Sequence, residues 1–161
     1  MITAEQIDAT AEWLNAFDED EQENLIDQFS EEQPHVLGYI MSEEAAELGE
    51  EEAELLLFMA TMLWQVAKRH SKTPMGIVEA QDLDDLQDTN WAFFDDREQQ
   101  KGQDFVDFVE PIVEQYEQPE LLTYITDMFT EDEDDEFAIE PAAKLPMFVM
   151  LKTVVDALFG K

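Results

Sequence analysis

The sequence predicts an all-α protein of about seven to eight helices. Three observations carry that expectation. Apolar residues recur three and four positions apart through most of the chain, as in Ile7, Ala11, Leu14 and Phe17, which places them on one face of a helix. No segment shows the sustained apolar–polar alternation that a half-buried strand requires. A nine-residue piece at 32–40, EQPHVLGYI, returns at 117–125 as EQPELLTYI, with six of the nine residues identical.

The echo extends in both directions. Upstream, LIDQF at 25–29 faces IVEQY at 112–116. Downstream, LLLFMATMLWQVA at 55–67 faces LPMFVMLKTVVDA at 145–157, with Phe58 against Phe148. The chain therefore reads as one three-helix unit used twice, in halves of about 1–73 and 74–161. The two halves are expected to pack around two central apolar helices as one domain spanning 1–161. That length is enough for a substantial core.

Each element has a local cause. Thr3 can cap the first helix while Gln6 reaches back to it, and Asp18 with Glu21 repeats that pairing for the second. Leu25, Ile26 and Phe29 form the buried face of the second helix. Pro34 suits the first turn of the third, where a missing N–H costs nothing, and Val36, Leu37, Ile40 and Met41 face inward. Gly49 is a natural stop. A fourth helix from about 50 to 70 opens with Glu50, Glu51, Glu52 and Glu54 and closes with Lys68, Arg69 and His70. Those charges complement its dipole at both ends, and its almost uniformly apolar middle predicts burial nearly all round. Ser71 to Pro74 breaks the chain between the halves.

Leu83, Leu86, Phe93 and Phe94 mark an acidic amphipathic helix ending near Asp96. Phe105, Val109, Ile112 and Tyr116 form the next stripe, with Pro111 inside it as a kink or first-turn residue. Pro119 opens a helix with Leu121, Leu122, Ile125, Met128 and Phe129 inward. The six acids at 131–136 read as a solvated loop, and 137–139 as extended. Pro141 opens a last helix, apolar from Leu145 to Phe159 except at Lys152, Thr153 and Asp156. Core packing is the expected role of Trp13, Trp64 and Trp91.

Charge is the dominant compositional feature. Forty-one Asp and Glu face eight Lys and Arg, for a formal net charge of −33, and residues 1–67 contain no Lys or Arg at all. Such a surface repels nucleic acid and anionic membrane and attracts basic proteins. A halophilic proteome is a second source of acidity. The chain has more Glu than Asp and more Lys than Arg, and it keeps eight Met and eleven Phe, which differs from the Asp- and Arg-rich composition expected of that source.

Chemistry finds few parts. There is no cysteine, so disulfides and thiolate metal sites are excluded. An EF-hand register from Asp132 fails at Phe137, where glycine is needed, and at Ala143, where glutamate is needed. Glu32 and His35 have the Glu-x-x-His spacing of a di-iron bundle, but Pro34 lies between them and Glu120 replaces the histidine in the repeat. His35 and His70 are the only histidines and sit in no nucleophile motif, and the five glycines are isolated. No cofactor and no enzymatic activity are expected. The start of the chain has no basic stretch followed by an apolar one, and no apolar run approaches the roughly 20 residues that span a bilayer. A cytoplasmic location follows as the expectation.

The expected function is that of a non-catalytic acidic protein that binds a basic partner, as a nucleic-acid mimic or as an immunity-type inhibitor of a nucleic-acid-handling protein. Carboxylates one helical turn apart stand about 5–6 Å from one another, close to the spacing of phosphates along a strand. Glu43, Glu44, Glu47, Glu50, Glu51 and Glu54, together with Glu131, Asp132, Glu133, Asp134, Asp135 and Glu136, are the candidate partner-binding residues. The competing expectation is a helical adaptor that takes a peptide in an apolar groove and uses its charge for solubility.

Overall fold

A computed structural model describes residues 2–41, 50–70, 76–98, 105–130 and 141–159. Among them are eight helices and no strand: α1 (Ala4–Asn15), α2 (Glu19–Glu32), α3 (Pro34–Ile40), α4 (Glu50–His70), α5 (Ala80–Glu98), α6 (Phe105–Gln115), α7 (Pro119–Thr130) and α8 (Pro141–Phe159). The all-α expectation holds. Gly49, the break at 71–74 and the segment 131–139 lie outside the described residues.

The helix starts follow the capping chemistry. The Gln6 N–H donates to Thr3 Oγ1 at 3.2 Å, and the Thr3 N–H donates to Gln6 Oε1 at 2.9 Å. Asp18 and Glu21 repeat this box at the head of α2, at 2.8 and 3.4 Å. Each box satisfies two backbone donors that the helix itself leaves orphaned. Pro34, Pro119 and Pro141 each open a helix. Pro111 and Pro146 lie inside α6 and α8, and an interior proline costs on the order of 3 kcal/mol. Packing offsets that cost: Val109 and Ile112 flank Pro111, Met147 to Leu151 follow Pro146, and all of these are buried.

Two helices form the centre. Residues 59–67 of α4 are buried without interruption, as are 147–151 of α8, and α4 and α8 pack on each other. Phe29 of α2 stacks on Trp64 of α4 at 4.7 Å and 5° between planes, which adds about 1 kcal/mol to the area both rings bury. The outer helices then pair in a repeating order. α1 packs on α4 and on α7, whereas α5 packs on α8 and on α3. α2 packs on α3, and α6 on α7.

The two Gln-Pro sites of the repeated motif tie these pairings down. Gln33 is 1% exposed. Its amide nitrogen donates to the Gly76 carbonyl at 2.9 Å, and its amide oxygen accepts from the Val78 N–H at 2.9 Å. Gln118 Oε1 accepts from the Ile2 N–H at 3.0 Å. Val78 stands two residues before α5, and Ile2 two residues before α1. Each glutamine therefore anchors the entry to the first helix of the opposite half.

Two side chains depart from the expected core: Met41 is 65% exposed and Trp13 is 38% exposed. Met41 follows the last residue of α3 with φ −97° and ψ 18°, so the helical phase no longer points it inward. Trp13 is six positions beyond Ile7, off the buried stripe. α5 runs two residues past the expected end at Asp96, to Glu98.

Candidate functional site

The outward faces of α1, α2 and α5 are acidic. Glu5, Asp8 and Glu12 are exposed on α1, as are Glu19, Asp20, Glu23, Asp27 and Glu31 on α2, and Asp82, Asp84, Asp85 and Asp88 on α5. Asp8 with Glu12 and Asp84 with Asp88 are one turn apart, so each pair lies on one helical ridge. None of these carboxylates meets a Lys or Arg among the described side chains.

Of the carboxylates expected from the sequence to bind a partner, Glu50 and Glu54 are exposed one turn apart at the start of α4, and Glu51 lies in the same helix. Glu43, Glu44, Glu47, Glu131, Asp132, Glu133, Asp134, Asp135 and Glu136 lie outside the described residues. The rows on α1 and α5 are not among the partner-binding candidates of the sequence; the signal for the α5 row is the i, i+4 spacing of Asp84 and Asp88 behind buried Leu83.

The cations do other work. Lys68 Nζ pairs with Glu32 at 2.8 Å and lies 5.4 Å from the Trp64 ring centroid. The Arg69 guanidinium lies 4.9 Å over the Trp13 ring, and Trp13 meets Phe17 edge to face at 4.6 Å. His70 Nδ1 is 3.2 Å from Gln6 Nε2. The basic end of α4 thus fastens α4 to α1 and α2.

A second feature lies inside. Lys152, Thr153 and Asp156, the polar exceptions in α8, meet Asn90 of α5 and Tyr116 just past α6. Lys152 Nζ donates to Asp156 Oδ2 at 3.0 Å and to Asn90 Oδ1 at 2.8 Å. Asn90 Nδ2 donates to Thr153 Oγ1 at 3.0 Å and to Asp156 Oδ2 at 3.2 Å. The Tyr116 hydroxyl donates to Asp156 Oδ1. The Thr153 hydroxyl donates to the Val149 carbonyl at 2.7 Å. The Lys152 and Asp156 side chains are only 14% and 16% exposed. Burial foremost, then the hydrogen bond to Asp156 and the negative charges of Asp156 and Glu117, hold the Tyr116 phenol well above the ordinary tyrosine range. The Asp156 carboxylate accepts from three donors within the fold, which makes the cluster a closed network. Among the described residues, no three of His, Asp and Glu converge in a way that would hold a metal ion, and no helix is long and apolar enough to cross a membrane.

Comparison of the chain with protein-family models, curated proteins and solved structures finds no match.

Proposed function

We propose that the protein is a non-catalytic acidic interaction protein whose carboxylate ridges bind a basic protein that handles nucleic acid. One observation carries this reading: the exposed faces of α1 and α2 are acidic along their length, while the described cations beside them, Lys68 and Arg69, are drawn onto Glu32 and onto the Trp64 and Trp13 rings. Charge left bare in this way exceeds what solubility requires, for which a net magnitude of about 2–8 suffices in a small domain. Its physical use is steered, salt-sensitive association with a positive groove. The ridges Asp8–Glu12, Asp84–Asp88 and Glu50–Glu54 present carboxylates about 5–6 Å apart, the geometry a phosphate-binding groove accepts.

The test begins with basic proteins recovered from the native lysate at low and high salt. Each is then titrated against the wild-type chain and against a variant carrying Asp8→Asn, Glu12→Gln, Glu50→Gln, Glu54→Gln, Asp84→Asn and Asp88→Asn. The expected result is a loss of affinity of tenfold or more, with duplex DNA competing for any DNA-binding candidate. Unchanged affinity, or no competition, sinks the mimic reading in favour of the peptide-binding adaptor.

A further inference from the structure

The helix pairings give the chain a pseudo-symmetry larger than the repeated motif. Replacing α1, α2, α3 and α4 by α5, α6, α7 and α8 turns the α1·α4 contact into α5·α8, α2·α3 into α6·α7, α3·α4 into α7·α8, and α1·α7 into α5·α3. The glutamine anchors obey the same exchange, since Gln33 holds Val78 and Gln118 holds Ile2. Matching Ile2 to Val78 brings Ile7 onto Leu83, both 1% exposed. It also brings the exposed Asp8 and Glu12 onto the exposed Asp84 and Asp88. The repeated unit thus contains four helices, and each half seats its first helix partly on the other.

The equivalence fails at several core positions, with buried Thr61 and Gln65 matched by Leu151 and Val155, and most fully at one cluster. The same matching puts Leu14 at Asn90. The motif alignment puts Phe29 at Tyr116, Met62 at Lys152, Leu63 at Thr153 and Val66 at Asp156. In the first half all five counterparts are apolar and buried, none more than 4% exposed. In the second half the same five positions form the closed polar network.

We infer that this network is a pairing device: it assigns α5 and α6 to α8, and α1 and α2 to α4, in a fold whose two halves share one order of helix contacts. If α1 took the seat of α5, Leu14 would face Lys152 and Asp156, and both charges would lose their Asn90 partner. If α5 took the seat of α1, the Asn90 amide would enter an all-apolar pocket. Either error leaves buried polar groups unpaired, which is the expensive outcome. A wholly apolar core favours neither arrangement by that measure, and polar core positions have this selecting role where several packings compete.

Two variants of the full chain test it. Asp156→Val alone strands Lys152, Asn90 and Tyr116, and lowers Tm by about 10 °C. The fivefold change N90L/Y116F/K152M/T153L/D156V copies the first half into the second. It keeps or exceeds the wild-type Tm, because a complete buried ion network replaced by apolar groups is commonly neutral or stabilising. It loses selection, however, and gives more than one set of backbone amide resonances for α1 and α5, or species of higher mass in light scattering. A single set of resonances at the wild-type mass overturns the inference. So does a fivefold variant that melts as low as Asp156→Val, since the network then serves stability rather than choice of partner.

Discussion

Gln33→Met removes the anchor between the halves while keeping most of the side-chain volume. The native amide makes two hydrogen bonds of 2.9 Å, one to the Gly76 carbonyl and one from the Val78 N–H, at a position 1% exposed. A neutral hydrogen bond contributes about 1 kcal/mol net, and a buried backbone group left without a partner costs about 1–3 kcal/mol. Gly76 is itself exposed, so water can satisfy its carbonyl. The half-buried Val78 N–H bears the larger penalty. The sum is a loss of about 2–4 kcal/mol, or roughly 4–16 °C in Tm for a chain of this size. Denaturant unfolding measures the first quantity, and amide exchange locates it: the Val78 amide and the first turn of α5 should exchange faster, with the first turn of α1 unaffected. A variant within about 0.5 kcal/mol of wild type, with Val78 protection intact, refutes the anchoring argument.

The remaining predictions use other parts of the same frame. Gln118→Met removes a single 3.0 Å bond to the Ile2 N–H, so it should cost about 1 kcal/mol and accelerate exchange at the start of α1 only. Asp18→Ala removes the α2 cap and should lower stability by about 1 kcal/mol, read by denaturant unfolding. The Tyr116 phenol is held above its ordinary range, so the fold binds its proton more tightly than the unfolded chain does. That contribution is fully present below the unfolded value of about 10 and is lost as pH rises beyond it. The stability advantage of wild type over Tyr116→Phe should therefore shrink between about pH 9 and 11, which thermal melts of both proteins will show. Because 41 acids face eight bases, added sodium chloride at neutral pH should raise Tm by screening repulsion, and a flat response would mean that the ridges repel one another little.

Much of this fold is written in short-range chemistry. Thr3 with Gln6 and Asp18 with Glu21 mark helix starts within four residues, and Pro34, Pro119 and Pro141 do so by their fixed φ. The central pair α4 and α8 is visible because an almost wholly apolar helix must be buried on every side. What escapes the sequence depends on partners far along the chain. Gln33 is an ordinary polar residue until it meets Gly76 and Val78, more than forty positions on. The match of α1 to α5 rests on Ile7 with Leu83 and on acids at common positions, too little to detect without the contacts. Lys152, Thr153 and Asp156 were conspicuous as polar residues in an apolar helix, but their partner Asn90 lies 62 to 66 positions away. Trp13 departs from the core place expected of an aromatic residue near an apolar stripe, because it packs on Phe17 and under Arg69.

The described cations sit where they stabilise the fold. With eight Lys and Arg in the chain, a fold under pressure only to limit self-repulsion would set them among the carboxylate ridges, where each could neutralise two or three neighbours. Among the described cations, Lys68, Arg69 and Lys152 each lie over an aromatic ring, Trp64, Trp13 and Tyr116 respectively, at 5.4, 4.9 and 5.2 Å, and Lys68 and Lys152 also pair with Glu32 and Asp156. Lys68 through Glu32, Arg69 through Trp13 and Lys152 through Asn90 join a central helix to the helices around it. A cation over an aromatic face gains about 0.5–1 kcal/mol when exposed and more when desolvated, whereas an exposed ion pair gains about 0–1 kcal/mol. Stability alone therefore favours the rings, and none of these three cations pairs with the ridges Asp8–Glu12, Asp84–Asp88 or Glu50–Glu54. The two accounts diverge in one substitution. Moving a positive charge onto the α1 ridge by Asp8→Lys relieves repulsion and should leave stability equal or higher. Under the binding reading it also weakens association with a basic partner at the same salt, whereas solubility alone gives no reason for affinity to change.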